Sequence, residues 1–210
     1  MILGATGLIG GEVVRQSESL NDVQLTAVIR SDREQNLSNT RWHKVNFDRL
    51  HQYEDLFQCD TLVITLGTTI KQAKSKAAFR KIDYEYAVMA AALAKQKGAQ
   101  RVIVVTAIGA KENSRIFYNS VKGDLEQSLH RLQFKELQIL QPSLLIGERD
   151  HARKAEDLGQ KLAPVFGALL VGPLSKYKPI RGSQVASYIV SQLTAPITRQ
   201  SIIVRYEQMR

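Results

Sequence analysis

The sequence predicts an α/β fold, a doubly wound and mostly parallel sheet with helices on both faces. Two observations carry that prediction. Apolar strand-like runs alternate with segments whose apolar residues recur every three or four positions, and Gly4, Gly7 and Gly10 stand between the first apolar run and the first helical pattern. Parallel neighbours need crossover connections, and right-handed crossovers put helices above and below the sheet, so this alternation reads as a Rossmann-type architecture.

The elements follow in order. Met1 to Leu3 leave room for only a short first strand, and residues 12–20 read as a helix with Val13, Val14 and Leu20 available for burial. Further strands are expected at 24–29, 42–47, 61–66, 101–106, 137–140 and 201–204. Helical spacing marks 50–58, 76–97, 117–132, 157–166 and 183–193. Between Gly147 and Tyr177 the pattern loosens around Pro164, Gly167, Gly172 and Pro173. Residues 147–180 are therefore expected to form a small substrate-facing cap within one domain spanning 1–210.

At 210 residues the chain is long enough to bury a core without disulfides or metal staples. The lone Cys59 cannot form an intrachain disulfide, and no Cys/His cluster has metal-ligand spacing. Apolar stretches such as 162–172 fall short of the ~20 residues a spanning helix needs, and no signal peptide is visible. The expectation is a cytoplasmic chain with no membrane partner. A formal charge of +9 comes from 29 basic and 20 acidic side chains scattered along the sequence. That balance suits a phosphorylated cofactor, an anionic substrate or a solvated surface, and no zinc finger, RNP motif or aromatic-interleaved basic repeat points to specific nucleic-acid binding.

The opening Gly4-Ala5-Thr6-Gly7-Leu8-Ile9-Gly10 reads as a phosphate cradle. An anion must reach backbone N–H groups at close range, which side chains obstruct, and the following helix N-terminus adds roughly half a positive charge. Ligands of such sheets bind beyond the carboxyl ends of the strands. The residues there are Arg30 and Ser31, then Asp48, then Leu66-Gly67-Thr68-Thr69, then Thr106 and Ala107, then Pro142 and Ser143.

The end of the second strand distinguishes the nicotinamide cofactors. A carboxylate there accepts hydrogen bonds from ribose hydroxyls, whereas a cation meets the 2′-phosphate of NADP. Arg30 occupies the slot, with Ser31 and Arg33 within reach of the same group, so NADP is favoured. Asp32 is the competing carboxylate and keeps NAD as the alternative.

Tyr118 and Lys122 form Tyr-x-x-x-Lys at the start of a helical segment, one turn apart on one face. A phenol with pKa near 10 exchanges protons poorly at neutral pH unless its anion is stabilised. Lowering that value by ~2–3 units takes about 3–4 kcal/mol, comparable to one unit charge at ~4 Å in an effective dielectric near ~20. One neighbouring ammonium is sufficient. His43, His51, His130 and His151 have no carboxylate at a telling spacing, so surface or structural roles are expected for them.

With these motifs the chain resembles the atypical and extended short-chain dehydrogenase/reductases, and among them the Tat-interacting-protein-like oxidoreductases. The likeness spans nearly the whole length: GATGLIG at Gly4 to Gly10, TLGTT at Thr65 to Thr69, AFRKIDYEY at Ala78 to Tyr86, YNSVK at Tyr118 to Lys122, QPSLLIGER at Gln141 to Arg149 and YKPI at Tyr177 to Ile180. The resemblance implies that Tyr118 is the general acid/base and that Lys122 tunes it and hydrogen-bonds the nicotinamide ribose. It implies that Gly67 to Thr69 pass beside the cofactor, that Pro142 and Ser143 border the nicotinamide, and that Arg149 and Arg153 lie near the substrate. One departure stands out. A serine after the fifth strand usually holds the substrate carbonyl, and Ala107 takes its place here. Thr106 is the substitute donor, unless its hydroxyl turns into the sheet.

The expected function is an NADP-dependent reductase that passes hydride to a small carbonyl substrate. Ala107 favours a second reading, an NADP(H)-sensing regulator that reports its bound state to a protein partner. A sugar-nucleotide epimerase is a third, disfavoured because only residues 148–210 follow Gly147.

Overall fold

The computed structural model describes residues 1–32, 39–147 and 178–210. Among these, the strands are β1 (Ile2–Leu3), β2 (Leu25–Ile29), β3 (Thr40–Lys44), β4 (Thr61–Ile64), β5 (Arg101–Val105), β6 (Glu136–Leu140), β7 (Leu145–Ile146), β8 (Ile180–Arg181) and β9 (Gln200–Val204). Seven form one sheet in the order β3-β2-β1-β4-β5-β6-β9, with every pairing parallel. The short β7 and β8 pair with each other, also in parallel. Ile2 sits between Ala27 of β2 and Val63 of β4, so the chain reverses its direction of winding on either side of β1. Such a switch point opens a crevice beyond the carboxyl ends of the strands.

Because successive residues of a strand face opposite sides, each strand feeds two cores. Leu3, Val28, Ile64, Val104 and Ile139 pack on one face with residues of the helices that follow β4 and β5. Ile2, Ala27, Val63, Ile103 and Leu140 pack on the other, with the first and the late helices. A sheet covered on both faces needs nearly continuous apolar strands, and β5 and β6 are buried at every position.

The helices are α1 (Leu8–Ser17), α2 (Ile70–Ala73), α3 (Lys76–Arg80), α4 (Tyr86–Gln96), α5 (Phe117–Arg131), α6 (Gly182–Leu193) and α7 (Tyr206–Met209). Several elements differ from the sequence expectation, α1 among them, which runs Leu8–Ser17 where residues 12–20 were expected. The strand expected at 42–47 lies at Thr40–Lys44, because the Asn46 side chain accepts from the Asp48 N–H at 2.9 Å and starts a 3-10 segment at Phe47–Phe57. That segment replaces the α-helix expected at 50–58, and its path breaks at Arg49 and Tyr53, which leave helical geometry. The helix expected over 76–97 is divided by a π turn at Lys81–Glu85. Most of the expected cap, and the helix expected at 157–166 within it, lie outside the described residues.

At the amino end of the sheet, the buried Arg101 guanidinium pairs with Glu136 at 3.1 Å and donates to the carbonyls of Ala195 and Pro196, both at 2.9 Å. These bonds tie the approach to β9 against β5 and β6.

Candidate active site

The turn from β1 into α1 is shaped by close approach. Gly4 has φ +87°, and a Cβ there would sit 2.7 Å from the Thr65 carbonyl carbon. A Cβ on Gly10 would lie 2.1 Å from the Gly4 oxygen, so α1 comes nearer to β1 than any other residue permits. Thr65 secures the other side, its hydroxyl donating to the Leu3 carbonyl at 2.9 Å.

Gly7 is the N-cap, extended at φ −85° and ψ 175°, and supplies no side-chain acceptor. Its own N–H goes to the Gly4 carbonyl at 2.9 Å, and the Gly11 N–H goes to the Gly7 carbonyl at 2.8 Å. The first-turn amides between them are left for an outside acceptor, which is the requirement for holding a diphosphate. Ala5 and Ile9 are buried in the core and Thr6 is exposed, so the cradle offers backbone rather than side chains. Leu8 packs over Gly147 and Gly182, where an added Cβ would meet its side chain at 2.5 and 2.8 Å.

At the end of β2, Arg30, Ser31 and Asp32 are exposed. Asp32 is held by Lys44 at 2.5 Å, which occupies the carboxylate that competes for the ribose. Arg33 lies outside the described residues, as do Arg149 and Arg153. Asp48 faces Lys81 at 2.7 Å and accepts from the Tyr86 hydroxyl; the Lys81 contact leads in holding its carboxyl below the ordinary range.

Beyond β4, Leu66 packs on the core, Gly67 is exposed, and the Thr69 hydroxyl caps α2 by accepting from the Gln72 N–H at 3.2 Å. The Thr68 N–H donates to Asp83 Oδ2 at 2.9 Å. Asp83 comes from the π turn and is 1% exposed; its Oδ1 lies 2.7 Å from Lys122 Nζ. Burial pushes the Asp83 carboxyl up, opposed by the nearby Lys122 ammonium and by the bond from the Thr68 N–H.

Tyr118 and Lys122 lie on the first turns of α5. Tyr118 is half-buried with its ring tilted against Phe79 at 5.7 Å, while the Lys122 side chain is buried. Two further contacts dock the α3–α4 region on α5: Arg80 to Asp124 at 2.6 Å and the Tyr84 hydroxyl to Ser128 at 3.1 Å. A Cβ on Gly123 would meet the Glu112 nitrogen at 2.2 Å, so the loop before α5 also presses on the helix.

Thr106 turns inward. Its hydroxyl donates to Glu126 Oε1 at 2.5 Å, beside the Gln141 amide, which donates to both Glu126 oxygens at 3.1 and 3.2 Å. The expected carbonyl-orienting donor is thus committed to a buried carboxylate, because Glu126 on α5 needs partners where water is excluded. Burial pushes the Glu126 carboxyl up, and the bonds from Thr106 and Gln141 oppose it. Pro142 is buried, and the Ser143 hydroxyl donates to the Lys178 carbonyl.

Asp83 and Glu126 were not among the expected site residues. A signal was present: each is a carboxylate on an apolar stripe, Asp83 in line with Phe79 and Ala87, Glu126 beside Leu125 and Leu129.

The strand order and the glycine turn define a Rossmann-type, doubly wound α/β protein. The chain belongs to the HIM1 family, whose profile matches residues 13–170. It is 29% identical to "Protein FMP52, mitochondrial" of Candida albicans, over 90% of this chain and 85% of that protein. It is 30% identical to "Protein HTATIP2" of Rattus norvegicus, over 80% of this chain and 70% of that protein. The solved structure "MoeE5 in complex with UDP-glucose and NAD" shares the fold, with a TM-score of 0.72 and 13% identity over 99% of this chain and 78% of that one. The fungal relatives correct the cytoplasmic expectation, since they are named mitochondrial. An unpaired cysteine reports the lack of an intrachain disulfide and does not tell one reducing compartment from another. Among the described residues no helix is long and apolar enough to cross a membrane.

Proposed function

We propose that this protein is an NADP-dependent reductase of small carbonyl compounds. The observation that carries the reading is Gly10 seated on the Gly4 carbonyl, which opens the first turn of α1 to a diphosphate. NAD appears in the description of the MoeE5 structure, and the resemblance in fold supports a nicotinamide dinucleotide in the same crevice. Arg30 supports NADP over NAD: it is exposed at the end of β2, while Asp32 is engaged with Lys44.

When bound, the cofactor supplies hydride to the substrate carbonyl carbon. The chain's part is to place and protonate. The first-turn amides of α1 would hold the diphosphate, and Arg30 would meet the 2′-phosphate. Lys122, whose ammonium faces Asp83 at 2.7 Å, would hydrogen-bond the nicotinamide ribose through its remaining N–H groups. Tyr118 would donate its phenolic proton to the carbonyl oxygen, with Lys122 one turn further along α5.

The test is turnover of a carbonyl panel with NADPH, set beside calorimetric cofactor binding. Tyr118→Phe is expected to abolish turnover and keep the cofactor; unchanged turnover would remove Tyr118 from the reaction. A second reading has its own observation. With Ala107 at the expected serine and the Thr106 hydroxyl committed to Glu126, a cofactor-sensing protein that reports to a protein partner is the rival. Tight NADPH binding without turnover on any carbonyl would favour it.

A further inference from the structure

Between Leu66 and Ile82 the chain carries five basic residues, Lys71, Lys74, Lys76, Arg80 and Lys81, and no acidic one. The last two are engaged: Arg80 pairs with Asp124 at 2.6 Å and Lys81 with Asp48 at 2.7 Å. Lys71, Lys74 and Lys76 are exposed, and among the described residues no carboxylate pairs with them. Asp83, the next carboxylate along the chain, is buried against Lys122.

The fold sets these free cations beside Tyr118. Lys71 lies on α2, Lys74 closes it and Lys76 opens α3, directly beyond the segment that leaves β4 at its carboxyl end. Lys76 Nζ lies 5.3 Å from the centroid of the Phe117 ring. Phe79, one turn further along α3, tilts against Phe117 at 5.8 Å and against Tyr118 at 5.7 Å. One aromatic patch therefore seats both the ammonium and the phenol ring. Lys74 has φ +67°, a conformation that favours glycine, and ending α2 calls for no charge there. Like charges gathered at the mouth of a crevice repel one another and raise the local concentration of anions.

We propose that the site takes an anionic carbonyl compound, with Lys71, Lys74 and Lys76 meeting a carboxylate or phosphate group on the substrate. The inference rests on the reductase reading above and adds the class of substrate to it.

The experiment measures kcat/KM with NADPH for matched aldehydes: 4-formylbenzoate against its methyl ester, and glyceraldehyde 3-phosphate against glyceraldehyde. The anionic member of at least one pair is expected to lead by about tenfold at low salt, and the pair with the larger lead tells carboxylate from phosphate. Raising the salt from ~10 to ~300 mM should shrink the lead severalfold, since screening reaches exposed charges, and a lead indifferent to salt overturns the proposal. Lys71→Gln, Lys74→Gln and Lys76→Gln combined should bring the ratio to within about threefold of unity; exposed and unpaired positions cost little stability on substitution. Arg131→Gln, Lys135→Gln and Arg199→Gln combined remove the same charge from exposed positions at the amino end of the sheet, and should keep the ratio within about twofold of that of the unaltered chain. An equal fall in both variants assigns the effect to the net charge of the whole chain and overturns the proposal. A chain that reduces none of these aldehydes sinks the reductase reading and this inference with it. Turnover with no lead for the anion in either pair sinks only this one.

Discussion

The Thr106 hydroxyl donates to Glu126 Oε1 at 2.5 Å, so the last polar side chain of the fifth strand's run serves a buried carboxylate on α5 rather than the crevice above it. Thr106→Val removes that donor and leaves Glu126 with Gln141. Folding stability should fall by about 1–2 kcal/mol in urea denaturation, while NADPH affinity stays within about twofold. A large loss of cofactor affinity would return Thr106 to the ligand site.

Glu126 carries a pH signature. Burial pushes its carboxyl up from the ordinary value of 4.5, against hydrogen bonds from Thr106 and Gln141 and the charges of His130 and Lys122. A carboxyl raised in the folded state holds its proton more tightly folded than unfolded. Its contribution to stability is therefore fully present below the ordinary carboxylate range and is lost as pH rises through the folded value. Chemical denaturation across that range reads this contribution as a difference: the stability of the unaltered chain relative to Glu126→Gln should fall as pH rises.

Adjacent glycines should respond in opposite directions. Gly10→Ala puts a methyl 2.1 Å from the Gly4 oxygen, which forces α1 away from β1 and closes the cradle. The melting temperature should drop and dinucleotide binding should be lost beyond about 100-fold. At Gly11 the nearest atom to an added Cβ is the Ala5 oxygen at 3.7 Å, an ordinary contact. Gly11→Ala should keep binding and gain about 0.5–1 kcal/mol from helix propensity.

Arg30 decides cofactor choice in the proposed site. Arg30→Ala should weaken NADPH by about tenfold, the worth of one charge-assisted contact, and leave NADH unchanged. Fluorescence titration with both cofactors reads the ratio. An unchanged ratio would move the 2′-phosphate contact elsewhere.

The scaffold was legible in the chain because burial imprints local periods. The two-residue alternation that sends Ile2 and Leu3, or Ile103 and Val104, to opposite cores also marks their strands as covered on both faces. Gly4 and Gly10 were legible for a related reason: tight turns and close helix packing admit few residue types. Where a local pattern was ambiguous the reading slipped, as at Asn46, whose side-chain cap ends the sheet earlier than the apolar run 42–47 suggests.

The pairings of polar side chains were not legible. Nothing adjacent to Asp83 announces Lys122, and nothing adjacent to Thr106 announces Glu126, because each bond forms only when separate helices and strands are pressed together. Fold class, the phosphate turn and the Tyr118–Lys122 spacing belong to the amino-acid order, since backbone geometry within a few residues dictates them. The direction in which Thr106 points, the engagement of Asp32 and the clamp on Lys122 belong to the folded molecule, since buried charges and donors take whichever partner non-local packing brings within reach.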